Sequence, residues 1–393
     1  MAWYNKSTRE EPPASHLMPQ SKPNTSTYLT KFRRIGRPRS EPSRTSDKRP
    51  LIGAYIEHCI YCNGKAIKKI GKRYKQHEIV QRWHCHSCAV SFSSRTASKG
   101  STYPLKVILE TLCRFYQGHT IAGSADYIRG RFGLTIHPRT ITRWISAYRD
   151  LTTFARLRDK ARQTHSPRQL IRTTRLHHKQ VYTYRIHQGK LDHITRGREH
   201  QSFQPIAAYL TDMAENCPHQ LFQDTGDTGK RASQGKAVFN LDAVEIKAKR
   251  NHACRIAELV LQTVTINKRR HDEIQRFMLI TDSVTVAVEV PIILTPEDIT
   301  HMQRQLGFQI PIETDTTLTG HIDVLQIRNG KIHILDYKPG AAKERPITQL
   351  MVYDALALSR RTGLRLFDFV CAWFDEHHYY EFFPLHVVHK RRR

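Results

Sequence analysis

Residues 320–353 read GHIDVLQIRNGKIHILDYKPGAAKERPITQLMVY, and this stretch decides the fold of the C-terminal half. Two strand-like runs flank the dipeptide Asn329-Gly330, which strongly favours a two-residue hairpin turn. Such a turn fixes the register of the two strands, and counting outward from it places Asp323 directly opposite Asp336. Opposed residues have Cβ atoms roughly 4.5–5.5 Å apart. The pattern therefore predicts two neighbouring carboxylates at the end of an apolar face.

Two opposed carboxylates beside apolar neighbours repel each other, so a cation is expected to compensate them. Mg(II) and Mn(II) fit this role because these hard ions take oxygen ligands. Lys338 follows Asp336 by two residues and points to the same side of its strand. Its ammonium group can position a water or stabilise phosphoryl charge. A solvated surface hairpin is the alternative, and the apolar partners on the same face argue against it.

The glycine, the hairpin, the D-x-K sequence and the following helix together resemble the PD-(D/E)xK nuclease superfamily, particularly its RecB-like and CRISPR-associated RecB-like type. The resemblance implies that Asp323 and Asp336 bind a catalytic Mg or Mn ion. It also implies a catalytic role for Lys338, and metal binding by the backbone carbonyl of Tyr337. A restriction-endonuclease-like fold is expected for this half of the chain.

Two further parts of the resemblance concern helices. Gln349 and Tyr353 match the Q-x-x-x-Y helix of the superfamily, and their spacing of four places them on one face of an α-helix. The RecB-like type also carries a metal-binding histidine on an upstream helix. His252, in NHACRIAELVLQ, is the expected ligand because two helices and a strand then precede the hairpin in the usual order. His200, in RGREHQ, is the alternative.

The charge of the chain indicates a polyanionic partner. It has 63 Lys and Arg residues against 35 Asp and Glu residues, a formal net charge of +28. Such an excess attracts nucleic acid, and double-stranded DNA is the expected partner. No apolar run reaches the roughly 18 residues of a membrane span, and the first residues lack an apolar signal core. A cytoplasmic, nucleoid-associated protein is expected, and a homodimer is left open.

Four cysteines in the N-terminal part form two C-x-x-C pairs, Cys59/Cys62 and Cys85/Cys88. Two converging knuckles of this kind are typical of a structural zinc site, and the segment has few apolar residues with which to fold otherwise. The surrounding residues are similar to the zinc ribbons of bacterial insertion-sequence transposases. Those ribbons often carry glycine after the last cysteine, whereas this chain has Ala89.

A three-helix pattern follows the cysteines, with helices predicted at 105–117, 121–132 and 138–148. The transposases of the same resemblance also place a helix-turn-helix after the ribbon. The third helix begins at a proline, which favours a helix start. Its outward face is predicted to meet DNA in a major groove. The residues of that face are Arg139, Thr140, Thr142 and Arg143. A plain structural three-helix module is the alternative.

The sequence thus predicts a multidomain protein: a zinc ribbon and an all-α helix-turn-helix, followed by an α/β restriction-endonuclease-like domain with a central mixed sheet. The predicted parts are a disordered basic arm at 1–50, the ribbon at 51–100, the helix-turn-helix at 101–150, a basic connector at 151–234 and the nuclease-like domain at 235–393.

The predicted function is a metal-dependent DNA nuclease that the ribbon and the helix-turn-helix target to DNA. Two alternatives stay open. One is a transposase with another catalytic centre, in which Asp242 would begin a set of three acids. The other is a non-catalytic DNA-binding regulator that retains an inactive nuclease fold. Lys338 separates the first alternative from the nuclease, because a three-acid transposase has no need of it.

Overall fold

The computed structural model describes residues 51–52, 56–93, 102–178, 180–196, 203–217, 229–231, 246–248, 251–264, 266–307 and 317–388. The predicted arm at 1–50, the alternative ligand His200 and the alternative acid Asp242 lie outside these residues. The thirteen strands of the described part are β1 (Leu51–Ile52), β2 (Ile67–Tyr74), β3 (Ile79–Cys85), β4 (Ser91–Ser93), β5 (Ile171–His178), β6 (Gln180–His187), β7 (Gly229–Arg231), β8 (Lys247–Ala248), β9 (Thr285–Leu294), β10 (Thr317–Arg328), β11 (Lys331–Tyr337), β12 (Phe369–Phe374) and β13 (Tyr379–Phe382).

The α-helices of the same residues are α1 (Leu105–Tyr116), α2 (Ile121–Phe132), α3 (Pro138–Ala147), α4 (Ala155–Thr164), α5 (Gln188–Arg196), α6 (Gln204–Asn216), α7 (His252–Leu261), α8 (Arg270–Thr281), α9 (Pro296–Leu306), α10 (Ala357–Thr362) and α11 (Pro384–Val388). Short 3-10 helices occur at Asn267–Arg269, Ala341–Lys343 and Leu366–Asp368. A π-helix spans Gln349–Leu356 and continues directly into α10.

The main sheet has the strand order β5-β6-β9-β10-β11-β12-β13-β8, with β7 also paired to β10. The β11/β12 and β10/β7 pairs are parallel and the other pairs of this sheet are antiparallel, so the sheet is mixed. Helices cover both of its faces. One apolar core contains residues of α5, α6, α9 and the π-helix, and the other contains residues of α1, α7 and α8. This layering is expected for an α/β fold with a restriction-endonuclease-like sheet.

The predicted hairpin between β10 and β11 is confirmed, including its register. Asn329 and Gly330 adopt left-handed backbone angles, with φ of 52° and 65°. Two consecutive positive φ values are those of the tight turn that Asn-Gly favours. Arg328 pairs with Lys331, and the ladder continues to Val324 and Leu335. Asp323 and Asp336 are the next residues in this register.

The helices predicted for 101–150 form close to their expected bounds, but they share a core with the main sheet. Helix α1 is buried along most of its length, and its residues belong to the same apolar cluster as those of α8 and β12. Arg276 of α8 holds both carboxylate oxygens of Glu110 of α1, at 3.1 and 3.0 Å. The three helices are therefore one layer of a larger fold.

The segment at 151–234, read from sequence as a connector, contributes to the main sheet. Strands β5 and β6 pair with each other, and β6 pairs with β9. Helices α5 and α6 supply buried residues such as Leu191 and Ile206 to the core. The boundary predicted at 234/235 therefore does not separate two units in the described residues.

The N-terminal ribbon is a second, four-stranded sheet in which β3 lies between β1 and β2 and also pairs with β4. Its small core contains Cys59, Trp83, Cys85 and Phe92. Among the described residues, no helix combines the length and the apolar character that crossing a membrane requires.

Ala89 carries a backbone strain that glycine would remove. Its φ is 56°, in the left-handed region, immediately after Cys88. A residue with a side chain incurs a cost of about 1–2 kcal/mol to adopt this backbone conformation, and glycine does not incur that cost. Glycine loses more conformational freedom on folding, however, which cancels part of the gain in stability. We expect Ala89→Gly to raise the free energy of unfolding of the zinc-loaded protein by about 0.5–1 kcal/mol, measured by chemical denaturation.

The matched control is Ala66→Gly, in the same ribbon at a residue without positive φ. This change is expected to destabilise the ribbon by about 0.5–1 kcal/mol, because glycine loses more freedom on folding. If both substitutions lower the free energy of unfolding, the claim that glycine relieves backbone strain at Ala89 is refuted.

Candidate active site and metal centres

The site lies where strand β10 loses its partner on one edge. Along that edge β11 pairs with residues 324–328 and β7 pairs with residues 317–319. Asp323 lies between these two ladders, and its Oδ2 accepts a hydrogen bond from the backbone N–H of Tyr337 at 3.2 Å. The carboxylate thus replaces the next ladder bond, and the strands diverge at this point. We call this opening the fork.

A row of acids crosses three strands at the fork. The β9/β10 ladder pairs Val290 with Ile322 and Val288 with Val324, so Glu289 lies opposite Asp323. Asp336 is the counterpart of Asp323 on β11, as the hairpin register requires. Adjacent strands are about 4.8 Å apart, which keeps the three carboxyl groups close to one another.

Glu289 also has a strained backbone, since its φ is 54°. A non-glycine residue in this region costs of order 1–3 kcal/mol and is often found at functional sites. Its Oε1 accepts a hydrogen bond from Nε2 of Gln275 of α8 at 2.7 Å. This contact directs the carboxyl group toward the helix that closes one side of the fork.

Among the described residues, the carboxyl groups of the fork outnumber the cations that could neutralise them, so burial and mutual repulsion favour the protonated form of two of them. Burial, together with the charge of Asp323, raises the pKa of Asp336 to about 7 and that of Glu289 to about 8. Burial also acts to raise the pKa of Asp323, but the hydrogen bond and charge of His271 outweigh it and leave the pKa lowered. Several carboxyl oxygens that lack enough positive partners suit a hard divalent cation such as Mg(II) or Mn(II), because these ions bind oxygen ligands.

Lys338 is the cation of the fork that the sequence predicted. Its Nζ lies 2.8 Å from Oδ2 of Asp336, and its side chain retains 27% of its exposure. Burial acts to lower the pKa of Lys338, yet the attraction of Asp336 and Asp323 leaves it raised. The ammonium group therefore stays charged while remaining open to the cleft.

His271, rather than the predicted His252, contacts the acids. It lies in the first turn of α8, with Nδ1 3.4 Å from Oδ2 of Asp323 and its ring against that of Tyr337 at 5.0 Å. Burial acts to lower the pKa of His271, but Asp323 raises it above the usual value. This histidine belongs to the helix that directly precedes β9 and packs on the fork.

His252 lies near the other end of the sheet. It opens α7, and burial lowers its pKa while the charges of Asp282 and Arg328 also act on it. Arg328 ends β10, five residues beyond Asp323 in that strand. At about 3.3 Å per residue, this distance along the strand is about 17 Å. The structure therefore does not bring His252 to the acids.

The predicted Q-x-x-x-Y helix is a π-helix, which changes the residues that share its faces. A π-helix forms i→i+5 hydrogen bonds instead of i→i+4 bonds, so its turns are wider, and it occurs frequently at functional sites. Gln349 and Asp354, five apart, line the same cleft. The side chain of Tyr353 lies outside the described part of the chain. Asp354 was not anticipated from the sequence, because spacing for an α-helix places it on another face.

Asp354 is 3% exposed. Burial and the charges of Asp336 and Asp323 raise the pKa of Asp354 well above its usual value, against the opposing influence of Lys338. The carboxyl group of Asp354 therefore favours its neutral form more strongly than a solvated aspartate does.

A cleft of about 560 Å³ opens between β6, α8, β10 and the π-helix. Its lining includes His271, Glu289, Asp323, Lys338 and Asp354. A cleft with convergent acids, a cation and shifted pKa values is typical of an active site.

The four ribbon cysteines converge as predicted. Their Sγ atoms all lie within 4.8 Å of one another, with Cys59–Cys88 at 3.7 Å and Cys62–Cys85 at 3.6 Å. Tetrahedral zinc with bonds of about 2.3 Å requires sulfur atoms about 3.8 Å apart. Gly64 makes the knuckle compact, because a Cβ there would lie 2.8 Å from Oγ of Ser87. The four thiols therefore fit a structural zinc ion.

The third helix presents the face that the sequence predicted. Arg139, Thr142 and Arg143 are exposed and Thr140 is half-buried, while Ile141 and Trp144 are buried. His137 caps the helix by accepting a hydrogen bond from the backbone N–H of Arg139 at 3.2 Å. The helix start, where basic side chains reach solvent, is therefore fixed.

Comparison with known protein families gives a match to part of this chain. Residues 190–369 match the family model described as the PD-(D/E)XK nuclease superfamily. The C-terminal half therefore contains a domain of this superfamily, as the hairpin and its motifs predicted, and this indicates a nuclease. The matched residues contain the fork, His271 and the π-helix.

Searches of curated proteins and of solved structures gave no match. The matched segment does not reach the ribbon or helices α1 to α3. The resemblance of that part to transposases therefore stays a prediction.

Proposed function

We propose that this chain is a metal-dependent DNA nuclease. The observation that carries the proposal is the convergence of Asp323, Lys338 and His271 in one cleft, with the buried Asp336 held 2.8 Å from Nζ of Lys338. The family match to residues 190–369 supports phosphodiester hydrolysis as the reaction.

Asp323, Asp336 and His271 would hold the divalent ion, with Glu289 and the backbone carbonyl of Tyr337 as further candidate ligands. Mg(II) or Mn(II) is proposed because the donors are mainly oxygen atoms. When bound, the ion supplies Lewis acidity toward a phosphoryl oxygen and makes an attacking water more acidic.

The residues of the cleft then position the reacting groups. Lys338 remains charged, so it can orient the water and stabilise charge that develops on the phosphoryl group. Gln349 can donate hydrogen bonds to the nucleic acid from the π-helix, and Asp354 lines the cleft beside it. Tyr353 keeps its proposed role on the same helix from the family motif.

Targeting to DNA is proposed for the N-terminal part. The net charge of +28 favours binding to a polyanion. The exposed start of α3 offers Arg139 and Arg143 to phosphates and base edges, and Thr140 and Thr142 lie beside them. A zinc ion held by the ribbon cysteines would fix the fold of the first module.

Replacing Arg139 and Arg143 together by alanine is expected to weaken DNA binding and reduce its salt dependence. Each lost phosphate contact lowers the slope of log K against log salt by roughly 0.9. The double variant should therefore lose about two units of slope, measured by fluorescence anisotropy at several salt concentrations. The control is Arg304→Ala, an exposed arginine on α9, a helix that packs on the other core. An unchanged slope in the double variant would contradict a role of α3 in DNA binding.

The proposed function is tested by incubating labelled linear and circular DNA with the full chain in Mg(II), Mn(II) or EDTA. Cleavage in either metal and its absence in EDTA would support the nuclease. Cutting of the circular substrate would identify endonuclease activity. DNA binding without cleavage under every metal condition would overturn the proposal and favour a non-catalytic regulator.

A further inference from the structure

A pair of stacked rings lies in the cleft beside the acids. Tyr182 of β6 and His321 of β10 have ring centroids 3.9 Å apart and an interplanar angle of 15°. Both side chains are half-buried and both line the cleft that contains Asp323 and Lys338. The pair forms an aromatic platform within the candidate active site, and we call it the Tyr182/His321 platform.

The sheet register explains how two non-adjacent strands form this platform. Strand β9 separates β6 from β10, and His321 pairs with Pro291 of β9. Arg185 of β6 pairs with Val288 of β9, and continuing this register places Tyr182 beside the same proline. The two rings therefore reach across β9 from opposite sides and meet above it.

The platform is close to the proposed metal ligands. His321 and Asp323 lie on the same face of β10, two residues apart, which corresponds to about 6.6 Å along the strand. A nucleotide next to the one whose phosphate lies at Asp323 can span this distance. The position therefore suits the base that neighbours the scissile bond.

Charges around the platform suit a nucleic acid backbone. Lys268 lines the same cleft and is exposed at the start of the segment that leads into α8. Arg185 also lines the cleft, where its Nη1 contacts Oδ1 of Asp272 at 3.0 Å. Cations next to aromatic rings are the combination that single-strand binding sites use, because rings stack on bases while cations follow phosphates.

We propose that the Tyr182/His321 platform stacks on an unpaired base next to the scissile phosphate, so that the substrate of the cleft is single-stranded or locally unpaired nucleic acid. This inference rests on the proposed nuclease function and specifies its substrate. A base inside a duplex is already stacked on its neighbours and must leave the helix to meet a protein ring.

The test measures stacking directly, without cleavage. Full-length Asp336→Asn protein is mixed with single-stranded DNA that carries 2-aminopurine at one of a series of positions, and with the matched duplexes. We expect the fluorescence of the bound single strand to fall at one position or two adjacent positions. Replacing Tyr182 by leucine in this background should restore the fluorescence and weaken single-strand binding roughly 5- to 150-fold. Tyr182→Phe is the control, because it keeps the ring and removes only the hydroxyl group.

The outcomes separate this inference from the nuclease proposal. Position-specific quenching that is lost in Tyr182→Leu and kept in Tyr182→Phe supports the platform whether or not the wild type cuts DNA. Quenching that survives Tyr182→Leu, or equal binding and quenching of the fully paired duplex, overturns it. Metal-dependent cleavage by the wild type would then still support the nuclease.

Discussion

Replacing Lys338 by methionine is expected to lower the rate of DNA cleavage about 10²–10³-fold, as loss of one charge-stabilising group typically does. Lys338 holds its charge 2.8 Å from Asp336 and opens into the cleft. Methionine keeps a similar length but cannot orient a water or stabilise phosphoryl charge. The measurement is single-turnover cleavage of labelled DNA with saturating Mn(II).

Lys331→Met is the matched control, because Lys331 begins β11 and Lys338 directly follows its end. The Nζ of Lys331 donates instead to the backbone carbonyl of Phe367 at 2.6 Å, outside the lining of the cleft. We expect its cleavage rate to stay within about threefold of the wild type. Equal rates for both variants and the wild type would show that Lys338 has no catalytic role and would favour a different centre, such as the three acids of a transposase.

Replacing Lys190 by alanine is expected to destabilise the protein by about 3–5 kcal/mol, a large part of the stability of a typical domain. Lys190 has 0% exposure. Its Nζ donates to the backbone carbonyls of Leu279 and Thr285 and lies 3.6 Å from Oδ1 of Asp282. These hydrogen bonds satisfy one backbone carbonyl at the C-terminal end of α8 and one at the start of β9. Alanine would leave the buried Asp282 without its counter-ion.

The loss is measured by urea denaturation, with Lys106→Ala, an exposed lysine on α1, as the control expected to change stability by less than about 0.5 kcal/mol. The pH dependence provides a second check. Burial lowers the pKa of Lys190 to about 8, from 10.5. Between these values the unfolded chain binds the proton and the folded chain does not, so the contribution of Lys190 to the free energy of unfolding rises with pH. The alanine variant should lack this rise, and a loss of stability below about 1 kcal/mol would contradict the account.

The hairpin could be predicted from sequence because its information is local. Asn329-Gly330 fixes the turn, the turn fixes the register, and the register brings Asp323 next to Asp336. Each step depends only on residues close in the chain. The superfamily resemblance rests on the same residues, and the family match confirms it.

The histidine could not be selected by the same reasoning. His252 and His271 both lie on helices upstream of the hairpin, and the chain has 23 histidines. Which helix packs on the fork is decided by tertiary contacts between α8 and the sheet. The sequence alone does not show these tertiary contacts, so it is compatible with either His252 or His271 as the histidine at the fork.

The π-helix could not be predicted from the sequence for a related reason. Gln349 and Tyr353 have the spacing of one α-helical turn, so an ordinary helix was the natural prediction. The wider turn instead places Gln349 and Asp354 in the cleft. Burial of Leu350, Met351, Ala355 and Leu356 against the sheet accompanies that winding.

In the segment at 151–234 the alternating run 180–186 predicts a strand, which the structure contains as β6, whereas β5 is polar and the partner of β6 is distant in sequence. β5 reads IRTTRLHH, with charged and polar side chains in most positions. β6 pairs with β9 about a hundred residues later, through Arg185 and Val288. Local patterns carry little information on such long-range pairing.

The central claim is that the fork between β10 and β11 binds a divalent ion and cuts nucleic acid. Its most direct test compares wild type with Asp336→Asn, measuring Mn(II) binding by electron paramagnetic resonance and DNA cleavage on the same samples. Asparagine keeps the size of Asp336 and removes its charge. We predict Mn(II)-dependent cleavage by the wild type, and loss of both Mn(II) binding and cleavage in the variant, with zinc content unchanged. Mn(II) binding and cleavage that persist in Asp336→Asn would contradict the account.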